Sequence, residues 1–331
     1  MAIVSTELLH DALRSLPSVA PDSDGHEAVV SRIEVQRCGF ESSYGTYTVT
    51  LSFRGRADLT VFLKDYGTFE RPKDGFELRR ERERYVYSTL LDAAELGTAR
   101  LYGSIWDHPR SRYWLFLEFV EGTALKFSDF EHWLQAAAWL GRVHGYFGRC
   151  AEQVQQADLL IAHDARFFLS TAERALCSVA ELAPARASAL ERVLERYDPL
   201  VTLMVGQPRT LVHGAYRPTQ ILVNATRQPP RICPVDWELA AIGSSHYDLA
   251  YLADGFQSPR LERVLEAYRQ EAVRYGIAVP ATDELKHIVN CFRLHMVFSW
   301  LSKAVERQYP AATVTRLIEL AHQVAATVVE T

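Results

Sequence analysis

The sequence predicts an α+β fold in two lobes, a small N-terminal antiparallel sheet followed by a larger, mostly helical C-terminal lobe. Three observations carry this expectation. Two runs rich in β-branched and aromatic residues flank the short turn RGR in the first quarter of the chain. Beyond EFVEGTAL the character of the chain changes to helical spacing without strong strand signals. Short strand-like runs then return only between two helical blocks. A chain of 331 residues with 48% hydrophobic and 23% charged residues can bury a sizeable core, which argues against disorder.

The elements follow in order. SYGTYTVTLSF and ADLTVFLK, rich in β-branched and aromatic residues and separated by RGR, read as a hairpin of antiparallel strands. ELRRERERYVYSTLL, ending at Leu91, sets Leu78, Tyr85, Val86, Leu90 and Leu91 among charges and reads as one amphipathic helix. ARLYGSIW and RYWLFLEFV are two further strands. Residues 128–205 and 245–330 are helical in spacing, most clearly in HWLQAAAWLGRVHGYF, ALERVLERYDPLVTLM and LKHIVNCFRLHMVFSWLSKAVE. TLVHG, QILVN and RICPVDW are the short strands between them. The lobes are therefore expected at 1–120 and 121–331, joined by a hinge without a low-complexity linker.

The 36 basic and 41 acidic residues leave a formal charge of −5, so a nucleic-acid partner or an anionic membrane surface is not expected. The five cysteines are odd in number and widely spaced, with no CxxC pair. They read as buried free thiols in a reducing compartment. MAIVSTELLHDALRSL carries acids and polar residues among its apolar ones, and no uninterrupted apolar run reaches spanning length. A secretory leader and a membrane span are thus not expected, and a cytoplasmic location is.

The chemistry concentrates in HGAYRPTQ, residues 213–220, and in VDWELAAIG and YDLAYL downstream. Asp236 ends the apolar strand ICPVD, where a carboxylate is costly unless it is paired or bound to a metal. Lys64 ends the strand TVFLK, and Glu83 follows on the next helix with Glu81 as its competitor. His144, His163 and His246 belong to no motif.

In this order and spacing the chain resembles the aminoglycoside phosphotransferase and choline kinase-like family, whose pattern is approximately HGDxHPxNIL, then IDWE, then DLA. The resemblance covers almost the whole chain and implies a protein kinase-like fold with a nucleotide-binding N-terminal lobe. It also implies that the C-terminal lobe carries the catalytic loop, the metal site and the acceptor pocket. The family pattern makes Lys64, oriented by Glu83, the cation on the nucleotide phosphates. Ser42, Ser43 and Gly45 fall in the nucleotide-covering loop, although RCGFESSYGTY lacks the kinase glycine pattern, and Glu118 and Val120 fall in the adenine-side hinge. Asp236 and Gln220 would hold Mg2+, Gln220 standing where the family has asparagine. Arg217 would neutralise the transferring phosphoryl group, and His213 and Asp248 would fasten the loop.

Ala215 stands where the family has its catalytic aspartate, and a methyl group can neither orient a hydroxyl nor accept its proton. The resemblance thus implies an ATP- or GTP-dependent, magnesium-requiring phosphotransferase acting on a hydroxyl of a small molecule such as an antibiotic or natural product, here inactivated at position 215. The alternatives are a natural pseudokinase that binds nucleotide or a partner, and a peptide Ser/Thr kinase of the same fold.

Overall fold

In the computed structural model, which describes residues 9, 13, 30–39, 43–55, 57–69, 74–92, 94–150, 154 and 157–329, the β-branched runs pair as expected. Five strands, β1 (Val30–Arg37), β2 (Tyr44–Phe53), β3 (Leu59–Phe69), β4 (Leu101–Asp107) and β5 (Arg112–Glu118), form an antiparallel sheet of order β1-β2-β3-β5-β4. β1 was not anticipated, because VSRIEVQR shows water a mostly polar face. Val49 lies opposite Val61 and Tyr47 opposite Leu63. Since side chains alternate along a strand, this register sends Tyr47, Val49, Leu51, Val61 and Leu63 to one face. There they bury with Leu9, Leu13, Trp114 and Phe116. Each fully buried aliphatic side chain in this layer contributes roughly 1.5–3 kcal/mol. Lys64 and Tyr66 point to the opposite face by the same alternation.

The helix expected at the end of β3 is present as α1 (Phe76–Tyr85), which widens into a π-helical stretch over Val86–Leu91. Its burial corrects the sequence reading. Leu78, expected on the apolar side, is 59% exposed, while Arg80, Arg82 and Glu83 are buried. The physical reason is that charged partners wait on the buried side, and burial of charge is tolerated where it is paired.

Contacts divide the chain into two units, the first made of residues up to 123 together with 222–238 and the second of 124–221 and 239 onward. The second is helical: α2 (Phe130–Arg149), α3 (Ala165–Leu182), α4 (Ala187–Leu194), α5 (Tyr197–Val205), α6 (His246–Leu252), α7 (Arg260–Arg274), α8 (Thr282–Leu301) and α9 (Ala311–Val329). The single helix expected over residues 189–204 is divided into α4 and α5. A continuous helix would drive the Pro199 ring into the carbonyl of Glu195, whereas proline is accepted in the first turn of a new one. α8 lies at the centre, burying Leu285, Val289, Phe292, His295, Phe298 and Leu301 against neighbours that include α3, α6 and α9. α2 meets α7 closely at Gly141, where an added Cβ would lie 2.6 Å from the Tyr268 carbonyl oxygen. A three-stranded sheet, Ile161–Ala162, Ala241–Ser244 and Arg209–Val212, carries the chain into the 213–220 loop.

None of the five cysteines is in a disulfide. Only Cys233 and Cys291 are buried, and Cys177 is exposed, which corrects the expectation of uniformly buried thiols. Among the described residues, no helix is long and apolar enough to cross a membrane.

The helical unit buries five imidazoles, and three of them are held well below the ordinary histidine value. Desolvation, with His144 nearby, pushes His246 down to about 3 from an ordinary 6.5. Desolvation, with Arg174 and Lys303, does the same to His295, and His163 is likewise held well below its usual value by burial. The unfolded chain therefore takes up protons below pH 6.5 that the folded one refuses until about pH 3. The contribution of His246 and His295 is complete above pH 6.5 and is lost as pH falls, by up to roughly 5 kcal/mol each if titration runs to completion, and His163 adds in the same direction. The urea midpoint is expected to stay level from pH 8 to 6.5 and to drop steadily to pH 4.5, before most carboxylates titrate. A midpoint level throughout that span would show that these imidazoles do not stay neutral in the fold.

Candidate functional site

Lys64 stands on β3 facing α1, and the turn of that helix nearest to it carries Glu83. The Lys64 ammonium lies 2.6 Å from Glu83 Oε2 and 2.6 Å from Asp236 Oδ1, so one cation bridges two carboxylates that are 153 positions apart in sequence. The Tyr66 hydroxyl, also on this face of β3, donates to the same Glu83 oxygen at 2.5 Å. The rings of Tyr44 and Tyr66 flank the ammonium at 5.4 and 5.2 Å. Burial alone would lower the Lys64 pKa, but the Asp236 and Glu83 charges outweigh it and raise it. Lys64 is thus a fixed positive charge. Burial pushes the Glu83 carboxyl up, against the pull of Lys64. Glu81, the alternative partner, accepts from the Trp106 indole at 2.6 Å and pairs with Arg84.

Asp236 follows the strand Arg231–Pro234 and has φ +70°, a left-handed backbone conformation that costs a non-glycine residue about 1 kcal/mol or more. Trp237, 1% exposed, anchors the turn, its indole donating to the Pro234 carbonyl at 3.4 Å. Glu238 follows, and two arginines of α1 take hold of it: Arg79 Nη1 lies 3.1 Å from its Oε1, and Arg82 Nη1 donates to its carbonyl at 2.7 Å. Glu83, Asp236 and Glu238 each offer an oxygen within 4.8 Å of the others, the one such grouping of metal-ligand type among the described residues. All are hard oxygen donors of the kind magnesium takes. Asp236 is the most accessible, its side chain 29% exposed against 1% for Glu83 and 5% for Glu238.

Of the other residues expected on the nucleotide side, Ser42 lies outside the described residues, and Ser43 immediately precedes β2. Gly45 pairs with Asp65, and an added Cβ would meet the Tyr47 ring at 3.2 Å. The Glu118 carboxylate is taken by Arg231 through two contacts of 2.5 and 2.8 Å, and its N–H donates to the Arg100 carbonyl. Its side chain is a brace within the fold rather than a free carboxylate.

The second constellation lies in the helical unit. Asp248, fully buried near the start of α6, accepts the N–H of His213 at 2.5 Å on one oxygen and the N–H of Gly214 at 3.0 Å on the other. Gly214 has φ +77°, and a Cβ there would sit 2.0 Å from the Leu239 carbonyl oxygen, so no other residue fits. Further along, the Arg217 N–H donates to the Ala215 carbonyl at 2.6 Å, and the Gln220 N–H to the Arg217 carbonyl at 2.8 Å. Ala215 is 3% exposed. The Tyr216 hydroxyl donates to the Ala136 carbonyl, and its ring stacks on Trp139. The Arg217 guanidinium lies 5.3 Å over the Tyr251 ring.

Sequence reasoning passed over Tyr66, Arg79, Arg82, Glu238 and His144. His144, assigned no role from sequence, places Nε2 3.5 Å from Asp248 and Nδ1 3.2 Å from the Tyr268 hydroxyl. The arginines carried a usable signal, because positions 79, 82 and 83 share one helix face.

The model of the phosphotransferase enzyme family matches residues 60–285. Among solved structures, the GDP complex of an aminoglycoside 2'-phosphotransferase superposes with TM-score 0.63 at 14% identity, over 97% of this chain and 99% of that one. A microcompartment-associated aminopropanol kinase superposes with TM-score 0.61 at 16% identity, over 96% and 95%. A macrolide 2'-phosphotransferase from Brachybacterium faecium gives 0.57 at 17%, over 97% and 99%. These likenesses establish a kinase-like fold, with an antiparallel sheet first and a helical region after it. No curated protein matches the sequence. The family match spans both constellations, from Lys64 through the 213–220 loop to Asp236 and Asp248, and the chain belongs to the phosphotransferase enzyme family.

Proposed function

We propose that this protein is built to transfer the terminal phosphoryl group of ATP or GTP to a hydroxyl of a small molecule, with Ala215 limiting the transfer step. The observation that carries the reading is the Lys64 ammonium held between Glu83 and Asp236 at 2.6 Å from each. A buried, permanently charged lysine fixed by two acids is suited to the nucleotide phosphates. Asp236, the most accessible of its three acids, would hold magnesium, with the Gln220 amide assigned by its place in the loop motif. Magnesium, when bound, neutralises charge on the phosphates. Arg217 supplies a guanidinium to the transferring group, and His213 serves through its backbone, as the Asp248 contact suggests.

Neighbours of similar fold are an aminoglycoside and a macrolide phosphotransferase and an aminopropanol kinase, which favours a small-molecule acceptor over a peptide. A natural pseudokinase is the second reading, favoured by Ala215 itself, whose methyl group can neither orient a hydroxyl nor accept its proton.

Calorimetry tests the shared part of both readings. Magnesium-dependent binding of ATP or GTP is expected, weakened at least tenfold by Lys64→Ala or Asp236→Ala, since each removes a charge-assisted contact worth about 1.5–3 kcal/mol. If neither nucleotide binds with or without magnesium, the nucleotide assignment fails.

A further inference from the structure

α1 turns a charged face inward, and its residues do more than hold Glu83 against Lys64. Arg79, Arg82 and Glu83 occupy one face of the helix. Glu83 reaches Asp236 through Lys64, while Arg79 takes the Glu238 carboxylate and Arg82 the Glu238 carbonyl. The three-residue turn Asp236–Trp237–Glu238 is thus gripped at both ends by a single helix. Its first residue is in a left-handed conformation that persists only where the surroundings fix it. Neither arginine is a solvated surface charge: the Arg79 side chain is 19% exposed, and Arg82 is 7% exposed. Burial lowers the Arg82 pKa to about 10, still well above neutrality.

We propose that Arg79 and Arg82 are positioning residues that clamp Glu238 and thereby hold the Asp236 carboxylate in the orientation that receives a divalent cation. Glu238 is then an anchor rather than a free ligand, because Arg79 engages its carboxylate. This inference rests on the nucleotide and magnesium reading above and adds a role for residues outside the motif that defines it. Lys64 would remain available to the phosphates when the clamp is cut, so metal-dependent and metal-independent binding should separate.

The test is titration of the full chain with ATP and GTP, each in magnesium and each in EDTA, for the unsubstituted protein and for Arg79→Gln, Arg79→Lys and Arg82→Gln, with a thermal melt of each. The gain in affinity that magnesium confers is expected to fall at least tenfold in Arg79→Gln and Arg82→Gln, while affinity in EDTA changes less than about threefold; tenfold corresponds to roughly 1.4 kcal/mol. Arg79→Lys, which keeps the ion pair, should recover most of the gain. Equal losses in magnesium and EDTA, tracking the melting temperature, would mean the arginines only support the fold and would overturn the clamp. So would an undiminished magnesium gain in both glutamine variants. If Arg82→Gln does not fold, the more exposed Arg79→Gln and its lysine rescue decide alone. An unsubstituted chain that binds nucleotide identically with and without magnesium overturns the metal assignment itself, and the clamp with it.

Discussion

Ala215→Asp is expected to raise phosphoryl transfer to the cognate acceptor by about 100-fold or more, the lower end of what a positioned base contributes. The backbone on both sides of position 215 is already fixed, through Asp248 on the His213 and Gly214 N–H groups and through Tyr216 on Ala136. The new carboxylate therefore enters a shaped loop. Nucleotide affinity should change by less than about threefold, because Lys64 and Asp236 are untouched. Stability should fall by roughly 1–3 kcal/mol, since position 215 is 3% exposed and an added acid there must be desolvated. The measurement is product formation against a panel of hydroxyl-bearing small molecules and peptides. A variant that folds and binds magnesium nucleotide yet gains nothing on any of them favours the natural pseudokinase. A gain restricted to peptides selects the peptide-kinase alternative.

Asp248→Ala is expected to have the largest effect on stability. Asp248 is fully buried, and its two oxygens serve two separate backbone donors. Alanine would strand both N–H groups in the interior and remove the acid beside His144. Loss of a fully buried charged acceptor of this kind costs about 3–5 kcal/mol. Asp248→Asn is the sharper probe, because it preserves volume and one acceptor while turning an amino group toward one of the donors. It should cost about 2 kcal/mol or more in urea denaturation and abolish most of the activity restored by Ala215→Asp. If Asp248→Asn unfolds within about 0.5 kcal/mol of the parent, Asp248 is not what holds the loop.

Much of this arrangement could be read from the sequence where a motif fixed both residue type and spacing. The hairpin strands, the Lys64 and Glu83 contact, and the backbone role of Asp248 each follow from short-range pattern or family order. What escaped was charge used as core. Hydrophobic periodicity assigns Leu78 to the interior and the arginines to water, and α1 does the reverse, because Glu238, Lys64 and Tyr113 await those charges. A linear reading cannot see partners 159 positions away. β1 escaped for a related reason: charged residues lie among Val30, Ile33 and Val35, and a register irregularity between Val30 and Arg32 takes these three core-packed residues out of strict alternation. His144 escaped because its partner Asp248 is far along the chain and the two meet only through folding.

The alternation of β3 also sets a rule for how this chain can change length. Val61 and Leu63 enter the apolar layer, while Lys64 and Tyr66 face α1. Inserting one residue between Leu63 and Lys64, with the pairing upstream retained, would point the lysine into the leucine-rich layer and leave Glu83 and Asp236 without their shared cation. Two inserted residues would restore the direction but displace the ammonium along the strand by about 6–7 Å, beyond reach of either acid. A change of length between Val61 and Tyr66 is therefore excluded, whereas residues added before Leu59 leave that count, and with it the reach of Lys64 to both acids, intact.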